Sequence, residues 1–78
     1  MVAFHQLPRL KGKRVIRALE KGGFLQDRQK GSHVVMRNPI TKFLTVVPVH
    51  GGEEISKPLL MDIIKQAGLN VEQFVDLL

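Results

Sequence analysis

Apolar residues in the first third of the chain recur at helical spacing. Val15, Ile16 and Leu19 fall at i, i+1 and i+4 with Ala18 beside them, which predicts a helix over Gly12–Lys21. Gly22-Gly23 ends it, because glycine accepts the left-handed conformation favoured just past a helix. Three extended segments are then predicted, over residues 24–30, His33–Arg37 and 42–49, with turn signals at Gly31-Ser32 and Asn38-Pro39. Pro48 has no amide donor and implies an edge or a strand end; Gly51-Gly52 breaks the third strand. A second helix is predicted over 58–67, where Leu59, Leu60, Ile63, Ile64 and Ala67 form a broad apolar stripe. Ser56 or Lys57 opens it, Pro58 is tolerated in its first turn, and Gly68 ends it. Asn70, with Gln73 three residues on, has the form of a capping box for a short third helix that turns Val71, Phe74, Val75 and Leu78 inward. Helix, three strands, helix and short helix predict an α+β two-layer sandwich, with antiparallel hairpins covered by helices on one face.

A chain of 78 residues is expected to form a single domain, 1–78, around one core, because so short a chain buries only about 60% of its unfolded surface. Cysteine is absent, which removes disulfides, thiolate chemistry and cysteine–zinc sites, and fits a reducing cytoplasm. Met1-Val2-Ala3-Phe4-His5-Gln6 does not read as a signal peptide, and no apolar run approaches the ~18 residues of a membrane span. The expectation is a soluble, cytoplasmic protein with no membrane contact.

The net charge of +5 is unevenly distributed. Up to Lys42, ten basic residues oppose only Glu20 and Asp27, a net +8; from Phe43 onward, Lys57 and Lys65 oppose five acids, a net −3. Such polarity suggests a polyanion-binding face opposite a neutral or acidic one, although solvated basic helices would give the same totals.

Arg28-Gln29-Lys30-Gly31-Ser32-His33 is the stretch richest in chemistry. Histidine, with an ordinary pKa of about 6.5, both takes and gives a proton near neutral pH. Arg28 and Lys30 bring cations that would hold an anion beside it. Along the second strand the pleat places His33, Val35 and Arg37 on one face and Ser32, Val34 and Met36 on the other. Val34 and Met36 suit the core, so His33 and Arg37 are expected to face outward together as a phosphate-handling pair. The bland reading is a turn followed by an exposed surface histidine.

These segments resemble the HicA family of toxins, also called YcfA-like mRNA interferases. The resemblance is carried by Gly12-Lys13-Arg14-Val15-Ile16-Arg17-Ala18-Leu19-Glu20-Lys21-Gly22-Gly23-Phe24 and Arg28-Gln29-Lys30-Gly31-Ser32-His33. It continues through Leu44-Thr45-Val46-Val47-Pro48-Val49-His50-Gly51 and Ile63-Ile64-Lys65-Gln66-Ala67-Gly68-Leu69. It implies a double-stranded-RNA-binding-like α-β-β-β-α fold, here with a short extra C-terminal helix. It also implies metal-independent cleavage of mRNA by the histidine of Gly-Ser-His, which is His33, with no cofactor. The implied protein partner is a HicB-type antitoxin that blocks the active site. Pro58-Leu59-Leu60 departs from the Gly-Thr-Leu that often opens the second helix in the family.

The implied reaction is transesterification. His33 takes the ribose 2′-hydroxyl proton, and Arg28, Lys30, Arg37 and the turn amides of Gly31 and Ser32 hold the RNA phosphate. No second proton-transfer group is evident; His50, ending the third strand, is a candidate that reads first as a structural loop histidine. Ser32 is not read as a nucleophile, since neighbours on a strand point to opposite faces. His5, His33 and His50 are far apart in sequence with no acidic cluster at ligand spacing, so no metal site is expected. Phe24, Phe43 and Phe74 read as core rather than as stacking platforms for bases. The rival reading is a non-catalytic double-stranded-RNA-binding-like module, weakened because only Lys57 stands where such modules carry a lysine cluster. A third is a structural subunit whose basic face docks an acidic protein.

Overall fold

A computed structural model describes residues 7–78. The Met1–Gln6 segment and His5 lie outside the described residues. The order is β1 (Leu10–Lys11), α1 (Gly12–Lys21), β2 (Leu25–Lys30), β3 (His33–Arg37), β4 (Leu44–Pro48), β5 (Glu54–Ile55), α2 (Lys57–Gln66) and α3 (Val71–Val75). An antiparallel sheet in the order β2-β3-β4 carries helices on one face, and β1 pairs with β5 in a separate short ribbon. This is the α+β, double-stranded-RNA-binding-like α-β-β-β-α arrangement with a short C-terminal helix.

Both long helices end in the way their glycines foretell. Phe24 N–H donates to Leu19 O and Gly23 N–H to Glu20 O, while Leu69 N–H donates to Ile64 O and Gly68 N–H to Lys65 O. Each set is a Schellman closure around a glycine at positive φ, and each satisfies carbonyls the helix leaves open. Asn70 and Gln73 complete the reciprocal capping box of α3 at 2.7 and 2.9 Å.

The core lies between the helices and the inner faces of β3 and β4. Val15, Leu19, Met36, Val47, Leu60, Ile63, Ile64 and Phe74 are all but completely buried there. Thr45 is the one fully buried polar side chain among the described residues, and its hydroxyl bonds Gln66 Oε1 at 2.9 Å across the sheet–helix seam. Phe43, by contrast, is 47% exposed. It follows Lys42, which closes a turn at φ 69°, and its ring fills the space that a Cβ on Gly68 would need. It therefore packs on backbone at the sheet margin and not in the core.

One close approach fixes where the sheet meets α1. A Cβ on Gly12 would overlap the carbonyl oxygen of Pro48, so the first turn of α1 sits directly on the end of β4. Gly12→Ala is expected to cost about 1–3 kcal/mol, because neither helix backbone nor strand backbone yields easily. Urea denaturation with unchanged m-value reads that loss as a lower midpoint.

Candidate active site

The hairpin that carries the Gly-Ser-His segment is closed by two residues, Gly31 and Ser32, between paired Lys30 and His33. Gly31 has φ 58°, and Ser32 does not share the positive value. Glycine at the first central position is what a type II′ turn demands, and that turn matches the twist of the flanking strands. Gln29 Nε2 braces it through the Gly31 carbonyl at 3.1 Å.

Which side chains share the His33 face is decided by the turn nearby and by a bulge further along β2. Leu25 faces Arg37 and Gln26 faces Met36, but the register then shifts between Gln26 and Arg28, so that Arg28 faces Val35 and Lys30 faces His33. Counted back from the turn, Lys30 pairs with His33 and Arg28 with Val35, so alternation with period two puts both cations on the His33 face, and the extra residue resets Leu25 and Gln26 instead. The tight turn therefore delivers both cations to the outer face, and the bulge at Asp27 brings Leu25 opposite Arg37. No hydrophobic pattern in β2 foretells it: its residues after Leu25 are all polar and the whole strand is exposed. In the structure it shows as six residues of β2 set against five of β3.

Arg28, Lys30, His33 and Val35 line one depression on that face. Val35 is only 8% exposed, although it points outward, because its register partners Arg28 and Val46 flank it on both sides. Arg37 is on the same face at the far end of β3. At ~3.4 Å per residue it stands about 14 Å from His33, in a separate depression with Leu25, Asp27 and Pro39. The two do not grip one phosphate; Arg37 is placed for a position further along a bound strand.

On its other side His33 borders an open groove of about 480 Å³. His50, Glu53, Glu54, Ser56, Asp62 and Gln66 supply its polar lining. His33 thus stands at the seam between the basic and acidic parts of the molecule, and the uneven charge of the two halves of the sequence becomes a spatial boundary. His50, which reads from the sequence first as a loop residue, meets His33 edge to face, with ring centroids 5.9 Å apart and planes at 87°. Both histidines are exposed. Among the described residues, no group of three or more histidine, cysteine or acidic side chains is placed to hold a metal ion.

The family model for the HicA toxin of bacterial toxin–antitoxin systems matches residues 12–69, most of the chain's 78 residues. The chain belongs to the HicA toxin family. The matched region includes the whole of the hairpin, the bulge, His33 and His50, and ends just before α3. A comparison with curated proteins finds no match. Membership of a HicA toxin family implies an antitoxin as protein partner. Among the described residues no helix is long and apolar enough to cross a membrane.

Proposed function

We propose that this HicA-family chain is a cytoplasmic endoribonuclease toxin, a single domain over residues 1–78, that cleaves mRNA through the substrate's own 2′-hydroxyl. His33 is the general base. It removes the 2′-hydroxyl proton, the oxygen attacks the adjacent phosphorus, and a 2′,3′-cyclic phosphate is left. Because the nucleophile belongs to the RNA, the reaction calls for no metal and no cofactor. Lys30 and Arg28 neutralise the phosphoryl oxygens as charge builds, and the amides of Gly31 and Ser32 are available as fixed donors at the turn. Arg37 holds a phosphate further along the strand. A HicB-type antitoxin neutralises the toxin by covering this face.

The observation that carries this reading is the placement of Arg28, Lys30 and His33 on one exposed face of one hairpin, in a chain of a toxin family. The acidic groove beside His33 speaks against the rival duplex-binding module, because carboxylates repel the second backbone such a module must span. Inducing the chain in growing bacteria tests the reading: growth arrest with loss of intact mRNA, relieved by the antitoxin, is expected. Arrest with mRNA intact would contradict it.

The two cations can be tested separately. Arg28→Ala combined with Lys30→Ala is expected to weaken RNA binding and to flatten its salt dependence. Each phosphate contact on single-stranded RNA contributes about 0.7 to the slope of log K against log salt, so losing two removes about 1.4. Titrations of a catalytically inactive variant over a range of salt concentrations measure this directly.

A further inference from the structure

We propose that His50 is the second proton-transfer group of this site, the general acid that protonates the departing 5′-oxygen. The inference rests on the reading of His33 as general base.

Breaking the P–O5′ bond leaves an alkoxide, a poor leaving group unless a proton reaches it as the bond opens. One histidine supplies only half of what the reaction needs. The second imidazole is already in place, 5.9 Å from the first between ring centroids. Neither ring is buried, so the contact does nothing for the core.

Backbone geometry builds this proximity. Val49 N–H donates to Ser32 O at 2.6 Å, and Pro48 stands opposite His33 in the β3–β4 register. His33 and His50 are each the next residue beyond the two partners of that hydrogen bond. The His50 carbonyl then accepts from Glu53 N–H at 2.9 Å, which anchors the start of the following turn. Gly12, packed on the Pro48 carbonyl, holds the same strand end from behind. The pair is therefore set by the sheet and by the first turn of α1.

Charge assigns the two roles. Arg28 and Lys30 share a depression with His33 and not with His50, so the phosphate's anionic oxygens belong on the His33 side. The leaving oxygen then faces His50. In the reaction His33 accepts the 2′ proton, the O2′–P bond forms, the P–O5′ bond breaks, and the His50 imidazolium gives its proton to O5′. The products are a 2′,3′-cyclic phosphate and a 5′-hydroxyl; proton exchange with water returns both rings to their starting forms.

The test uses a leaving group that needs no acid. A single-stranded oligonucleotide spanning a cleavage site mapped with the wild-type protein is made twice, with the ordinary 5′-oxygen and with sulfur in its place. His50→Ala and His50→Gln are assayed on both, beside wild type and His33→Ala. Loss of a general acid is expected to slow cleavage at oxygen by about 10²–10⁴-fold, with cleavage at sulfur restored close to the wild-type rate. His33→Ala stays slow on both substrates. Wild type should show a bell-shaped pH–rate profile at oxygen, with a fall at alkaline pH that the His50 variants lose. The charged groups facing the pair are Glu53, Glu54 and Asp62 from the groove, and Arg28 and Lys30 from β2.

Equal losses on oxygen and sulfur would overturn the proposal and make His50 a positioning or binding residue. No loss on either would make it dispensable. Cleavage of neither substrate by the wild-type protein would instead sink the endoribonuclease reading, on which this one depends.

Discussion

His33→Ala is expected to lower RNA cleavage by about 10²–10⁴-fold, the usual contribution of a positioned general base, with the fold unchanged. The side chain is exposed at the first position of β3 and carries none of the packing. Its pairing partners, Lys30 and Pro48, are held by backbone geometry that alanine preserves. A circular-dichroism spectrum and melting midpoint matching wild type, beside a collapsed cleavage rate, is the expected combination. RNA affinity should change little, because Arg28, Lys30 and Arg37 remain. A variant that cleaves at the wild-type rate would remove His33 from the mechanism.

Phe74→Ala is expected to be the most destabilising of the substitutions considered, by about 3–5 kcal/mol. A chain of this length has in total about 4–12 kcal/mol at 0.05–0.15 kcal/mol per residue. The loss therefore brings the protein close to unfolding at ambient temperature. Phe74 is fully buried although α3 has only five residues and lies beyond the region that the family model matches. Leu77 and Leu78 pack against the same core, and Leu77 reaches the end of α1 at Gly22. The C-terminal segment thus closes the helical layer beside the end of α1. A denaturant titration gives the result directly; a shift of less than about 1 kcal/mol would show the ring to be poorly packed in solution.

The parts of this molecule legible in its sequence are those written in periodic or capping patterns. The bounds of α1 and β3 match the expectation residue for residue, and the capping box at Asn70 is present. The other boundaries move by one or two residues: β2 begins at Leu25, β4 runs Leu44–Pro48, and α2 begins at Lys57. Pro48 does end an edge strand. The ribbon of β1 and β5 escapes notice because two-residue strands contain no alternation to detect. The bulge at Asp27 escapes because a polar, wholly exposed strand has no apolar face to declare its register. Phe43 misleads because an aromatic beside a β-rich run suggests core, whereas the turn at Lys42 turns it onto Gly68. His33 could be singled out from its neighbours in sequence. The approach of His50 could not, since it depends on strands closing across seventeen positions of chain.

Product termini test the central claim most directly. Purified protein is incubated with RNA in the presence of a chelator, and the ends of the fragments are identified by mass spectrometry. A 2′,3′-cyclic phosphate, or the phosphate from its opening, on the upstream fragment and a 5′-hydroxyl on the downstream fragment is the predicted result. Fragments ending in a 3′-hydroxyl and a 5′-phosphate would contradict the account, because they require water rather than the ribose hydroxyl as nucleophile.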